Sequence, residues 1–241
     1  MSAGILSRPL FYQKNLMKTI LQKKISSLVW MFVICFFAYQ MFQIVTPYTS
    51  WEWDVDFLIT KQRIIHLDYY RIAFYSHIFT SGFILLCGAF LFSNFILKRY
   101  SKLHRWLGKT YVFLLLCIAA PSGMIMAFHA NGSWFTQLSF FILTPLWWWF
   151  TWKGFQTVLQ KRFQAHRIWM MRSYALTLSA TSLRIYQLIL GSHFLIDPVI
   201  QYTLVSWGSW VGNLMFIEWI IFSKKNSVKK KFNFSVHYQP D

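Results

Sequence analysis

Apolar residues in this chain fall in blocks of helix-spanning length, and basic connectors separate them. The blocks run from Leu28 to Val45, Ile72 to Leu97, Leu107 to His129, Trp134 to Trp152, Trp169 to Leu190 and Val199 to Phe222. Each is close to the roughly 20 residues that carry a helix across hydrocarbon. Lipid offers no hydrogen bonds, so a spanning segment must satisfy its own backbone, and a helix does this within one segment. The pattern predicts an all-α fold, an integral membrane bundle of about six transmembrane helices. Only 13% of the 241 residues are charged, against about 25% in soluble domains. Three regions follow: a basic N-terminal segment (1–27), the helical domain (28–222) and a basic tail (223–241).

The net charge of +17 invites a nucleic-acid reading, but the basic residues do not gather on one soluble face or arm. They alternate. Arg8, Lys14, Lys18, Lys23 and Lys24 precede the first block. Lys98, Arg99, Lys102 and Arg105 lie between the second and third. Lys153, Lys161, Arg162 and Arg167 lie between the fourth and fifth, with Arg172 just beyond, and Lys224, Lys225, Lys229, Lys230 and Lys231 follow the last. The opposite connectors carry no lysine or arginine except Lys61, Arg63 and Arg71, beside Glu52, Asp54, Asp56 and Asp68. Basic connectors stay cytoplasmic, which predicts both termini inside (N-in/C-in) and a multi-pass protein of the cell membrane. The tail from Ser223 reads as disordered and suited to anionic lipid.

Local signals agree with these boundaries. Asn131-Gly132 and Gly191 read as helix stops, and Asp197-Pro198 as a helix start. Pro121-Ser122-Gly123 is a candidate break, and Pro145 a kink. Cys35, Cys87 and Cys117 are isolated within apolar blocks and read as small buried hydrophobes. No phosphate-binding loop, nucleophile elbow or zinc-protease motif occurs, so no enzyme activity is assigned.

Ionisable side chains at membrane depth are costly and mark function. Predicted topology puts His77 and His129 in the outer half, and His104 and His166 at inner helix starts. The inner two have similar surroundings: each begins a His-Arg pair with a tryptophan shortly after and a tyrosine about two turns on (Tyr111, Tyr174). This is a weak internal repeat.

Several segments together resemble the uncharacterised bacterial membrane proteins grouped as domain of unknown function 2306. They are Tyr75-Ser76-His77 with Gly82 and Gly88, His104 to Tyr111, Pro121-Ser122-Gly123, and Ala165 to Thr177 followed by Arg184. The resemblance covers roughly Arg71 to Phe222. It implies a multi-pass protein of a bacterial inner membrane and no established activity.

Three readings of the ionisable residues stand open. In the first, haem b is bound for electron transfer, with His77 and His129 as one ligand pair and His104 and His166 as the other. Arg184, Arg105, Arg167 and Arg172 would then meet propionates. In the second, a transporter or a lipid- or quinone-binding protein anchors its ligand on Arg184. In the third, the His-Arg pairs anchor a structural subunit to lipid phosphate. The expected partners are the bilayer, quinone or other membrane subunits, and not nucleic acid.

Overall fold

The computed structural model describes residues 10–193 and 195–237, and among them every regular element is a helix. Arg8 lies outside the described residues. Helix α1 spans Leu10–Val45, and 3₁₀ turns at Thr46–Ser50 and Asp56–Lys61 lead to α2 at Asp68–Leu91. Then come α3 (Asn94–Arg99), α4 (Ser101–Leu114), a π turn (Leu115–Ala119) and α5 (Ala120–Phe128). The chain finishes with α6 (Trp134–Leu159), α7 (Phe163–Thr177), α8 (Ser179–His193) and α9 (Pro198–His237).

Four helical stretches are long and apolar enough to cross a membrane: Met31–Ser50, Asp68–Leu91, Ser101–Phe128 and Pro198–Asn226. The sequence predicts six crossings. The two further ones fall on α6, which carries Lys153 in its last turns, and on the paired α7 and α8, where neither half is long enough alone.

Both terminal helices outrun their apolar cores. α1 starts 18 residues before Leu28, and α9 stays helical to His237 where the sequence suggested a disordered tail. Lysine and glutamine are good helix formers, so a helix begun in an apolar block continues into a basic flank. Between α2 and α4 the predicted single helix end becomes a short break. Ser93 takes an extended backbone and α3 restarts after it; serine and asparagine favour such boundaries.

Predicted punctuation holds elsewhere. Gly132 has φ +87°, a left-handed conformation open to glycine. Asp197 Oδ1 accepts from the backbone N–H groups of Val199 (2.9 Å) and Ile200 (3.1 Å), with Pro198 opening α9. Gly191 does not end its helix, since α8 continues to His193.

The π turn lies immediately before Pro121. Proline has no N–H to give and crowds the preceding turn. The ladder shifts by one, so Ala120 N–H donates to Leu115 O. Trp148 Nε1 donates to the Leu116 carbonyl that this shift leaves free (3.3 Å), and His77 Nδ1 donates to Ala119 O at the end of the turn (2.8 Å).

A buried hydroxyl network ties α4, α6 and α7 together. The Tyr111 hydroxyl is 3.0 Å from both Ser173 Oγ and Thr177 Oγ1; Thr151 Oγ1 is 2.7 Å from Ser173 Oγ; and Trp147 Nε1 donates to Thr177 Oγ1 at 3.0 Å. Of the cysteines only Cys87 is buried. Cys35 and Cys117 are exposed on the outside of the bundle, which corrects the expectation for those two.

Candidate functional site

α7 and α8 are not one helix. The chain turns at Leu178, and the two halves pack differently. α7 lies against α2: the Tyr174 hydroxyl donates to Leu85 O (3.0 Å), and its ring fills the space over Gly88. The same ring meets Phe37 of α1 edge-on at 6.3 Å. α7 also packs on α9, with Asn213 Nδ2 donating to Ala175 O (3.0 Å), whereas α8 packs mainly on α9, through Ser182 Oγ to Asn213 Oδ1 (3.0 Å) and Tyr186 over Gly208 and Gly212. α1 packs on α2, with Met41 and Val45 against Gly82. The bundle is therefore closed at Tyr174 and divides beyond it, with α1 and α2 on one wall and α8 and α9 on the other.

Arg184 lies in this cleft. It is nine residues before the end of α8 at His193, roughly 14 Å along the axis at 1.5 Å per residue. It lies across α8 from Ser182 and Tyr186, which contact α9, and is exposed yet with protein on most sides, Tyr202 of α9 included. Its only hydrogen bond among the described residues is a long one to Ala180 O of its own helix (3.5 Å). Tyr48, Asp56 and Tyr202 are within electrostatic range, but no carboxylate pairs with it directly.

The groups around the cleft are unusually unsatisfied. Tyr48, fully buried, donates to Asp56 Oδ2 (3.0 Å). Tyr70, also fully buried and within range of Tyr48 and Tyr202, has no partner for its hydroxyl. Ser81 of α2 and Thr181 of α8 likewise have buried, unpartnered hydroxyls. Ser81 lies about one turn before Leu85 on α2, and Thr181 about two turns after Tyr174, at the start of α8. Buried polar groups nearly always find partners; the orphaned hydroxyl of Tyr70, which shares Tyr48 and Tyr202 as neighbours with Arg184, marks a place open to a polar atom.

The predicted histidines separate into three environments. His77 donates from Nδ1 to Ala119 O, packs against Gly123 and lies 6.4 Å edge-on from Trp147. His129 ends α5, with Nε2 3.1 Å from the Tyr69 hydroxyl and its ring edge-on to Tyr70. Tyr69 precedes His77 by about two turns of α2, so these two histidines sit about two turns apart. His104 and His166 come together: they lie within electrostatic range of each other. His166 donates from Nδ1 to Gly154 O (2.8 Å), and His104 Nδ1 is buried without a partner. No group of three or more histidine, cysteine, aspartate or glutamate side chains gathers among the described residues.

Arg105 and Arg167 are exposed beside the inner pair. Arg172 forms a bidentate ion pair with Glu218, with Nη2 to Oε2 at 2.9 Å, and stacks on Trp169. Glu218 was not among the site residues read from the sequence. Its position as the sole carboxylate between Asp197 and Asp241 was the available signal.

Sequence reasoning also passed over Lys61 as a site residue. It is only 5% exposed and donates to His129 O and Asn131 Oδ1, fastening the 3₁₀ turn to the α5–α6 connection. A cavity of about 410 Å³ adjoins it. Burial pushes its ammonium down from 10.5 to about 8. Between those values the unfolded chain holds a proton that the folded chain has released, so stability rises with pH across that window. Thermal midpoints in detergent should show this rise, and Lys61→Met should flatten it; an equal rise in the variant would assign it elsewhere.

Long apolar helices, aromatic side chains on the outside and polar groups concentrated within define a helical membrane protein. Residues 74–221 match the family model for domain of unknown function 2306, described as a predicted membrane protein. That match covers more than half of the chain, which belongs to this family. No curated protein and no solved structure matches the chain.

Proposed function

We propose that the protein crosses the membrane six times with both termini in the cytoplasm, and that the cleft at Arg184 binds the acidic group of a ligand, for recognition or transport. α6 has 26 residues, and α7 and α8 have 15 each. At 1.5 Å per residue α6 alone, or α7 and α8 in series, spans about 39 Å or more, enough for a bilayer. With basic connectors inside, the cleft opens outward.

The observation that carries the binding reading is Arg184 itself. Its guanidinium has five N–H donors and no carboxylate partner, and it faces a cleft with unpartnered hydroxyls. An arginine at such depth is costly unless something pairs with it. A carboxylate or phosphate takes bidentate bonds from it, and Tyr70, in the same Tyr48–Tyr202 neighbourhood, has a hydroxyl free to donate. The test is thermal stabilisation of the detergent-purified protein by propionate, inorganic phosphate and acidic lipid. Arg184→Gln should weaken the most effective of these by about 100-fold, roughly 3 kcal/mol for losing a charged partner. Unchanged stabilisation in the variant would sink the reading.

A second reading has its own observation. A carbonyl only accepts, so the bond to Gly154 O fixes the proton of His166 on Nδ1 and leaves Nε2 as a free lone pair. Metal-bound histidines are oriented in the same way. With His104 nearby, the two imidazoles would supply the axial nitrogens of a haem iron, and Arg105 and Arg167 would meet its propionates. Haem would supply one-electron chemistry there, with quinone as a partner in the bilayer. A reduced-minus-oxidised spectrum of protein from haem-replete cells decides it. Sharp bands lost in His166→Ala support haem; a colourless protein removes it.

A further inference from the structure

We infer that the ligand at Arg184 is an amphiphile taken from the bilayer: one monoanionic headgroup, carboxylate or phosphodiester, on a long apolar chain. This rests on the binding reading above and adds the class of ligand and its route.

The cleft has an open flank. On α8 the side chains that face α9 are Ser182 and Tyr186. Arg184 points elsewhere, and its neighbours on that outer side are apolar and exposed: Ile185 at 39% and Leu188 at 73%. On the opposite wall α1 spends its packing on α2, and Tyr39 and Phe42 are left exposed at 59% and 64%. α8 packs on α9 and, more lightly, on α7. Among the described residues α1 meets α7 through Phe37 and Tyr174, and α1 and α8 share no substantial packing across the gap between them. At this depth the medium outside the gap is acyl chain. A soluble anion arriving from that side would have to shed its water in hydrocarbon. A lipid arrives with its chain already dissolved, and only its headgroup exchanges environment.

The charge around the cleft limits the headgroup. Arg184 supplies one positive charge, and Asp56 holds a negative one within its range. A dianion would meet that carboxylate after its first charge was neutralised. A monoanion fits, with a remaining lone pair for the orphaned hydroxyl of Tyr70, which shares Tyr48 and Tyr202 as neighbours with Arg184. The exposed apolar side chains of α8 give the tail a surface to lie on.

The test uses the full chain in detergent and four probes: oleate, oleoyl lysophosphatidylglycerol, oleyl alcohol and propionate. Oleate or the lysolipid should raise the thermal midpoint saturably. Oleyl alcohol, with the tail alone, should not. Propionate, with the headgroup alone, should need at least 100-fold more. Arg184→Gln should lose the response to the acidic amphiphiles, and Arg184→Lys should keep part of it, which separates lost recognition from lost folding. Propionate acting as strongly as oleate would overturn the amphiphile and leave the arginine site standing. Oleyl alcohol matching oleate would overturn it too. No response to any acidic probe, or full response in Arg184→Gln, would remove the site as well.

Discussion

Gly88→Ala should destabilise the folded bundle by about 3 kcal/mol or more, the upper range for overpacking a filled interior. An added Cβ would lie 2.0 Å from Cε2 and 2.3 Å from Cδ2 of Tyr174, far inside contact distance. The ring cannot simply turn away. Its hydroxyl is held by Leu85 O, and Phe37 and Phe92 flank it. α2 and α7 would have to part at the point that closes the bundle. Tyr174→Phe releases the hydroxyl, so Gly88→Ala combined with Tyr174→Phe should lose less than the sum of the two single losses, because touching residues are coupled. Thermal midpoints and monodisperse yield in detergent measure both. A Gly88→Ala protein as stable as the parent would show that Tyr174 does not lie over Gly88.

Thr177→Val should cost about 2 kcal/mol with almost no change in shape. Thr177 Oγ1 accepts from Trp147 Nε1 and shares a hydrogen bond with the Tyr111 hydroxyl. Tyr111 keeps Ser173 as a partner. Trp147 has a single donor, and the other acceptor near it, the Tyr111 hydroxyl, is already engaged with Ser173; a buried donor left poorly paired costs about 1–3 kcal/mol. Thr177→Ser restores the oxygen and should recover most of the loss. If serine is no better than valine, the methyl group rather than the hydrogen bond holds this position.

Much of the architecture could be read from the sequence, because hydrocarbon imposes a length and a polarity that composition reveals. Helix existence, the turn at Gly132 and the start at Asp197-Pro198 all follow from local chemistry. What stayed hidden depends on packing. Thr177 and Ser179 flank Leu178, where α7 gives way to α8, but two hydroxyl residues inside an apolar block do not by themselves place a break; what differs across it is packing, Tyr174 being bound to α2 and Tyr186 lying on α9. The site was half legible. Arg184 stood out as a charge within an apolar block, and His104 with His166 as a repeated phrase. The cleft itself depends on which faces remain uncovered, and a single chain's periodicity does not encode that. Lys61 was missed because a lysine in a connector looks solvated until a carbonyl from 68 residues away is found to accept from it.

The π turn at Leu115–Ala119 has a consequence for how the third long helix faces its neighbours. One additional residue in a turn advances the side chains that follow by about 100°. Tyr111, before the turn, engages Ser173 on α7, while Gly123, after it, lies under the His77 ring on α2. An uninterrupted helix would carry one pattern of faces from end to end. Here the two halves have independent phase, and each can be fitted to its own neighbour. Removing a single residue within the turn would restore the regular period and rotate one half against the other, so this stretch should tolerate substitutions of side chain far better than any change in its length.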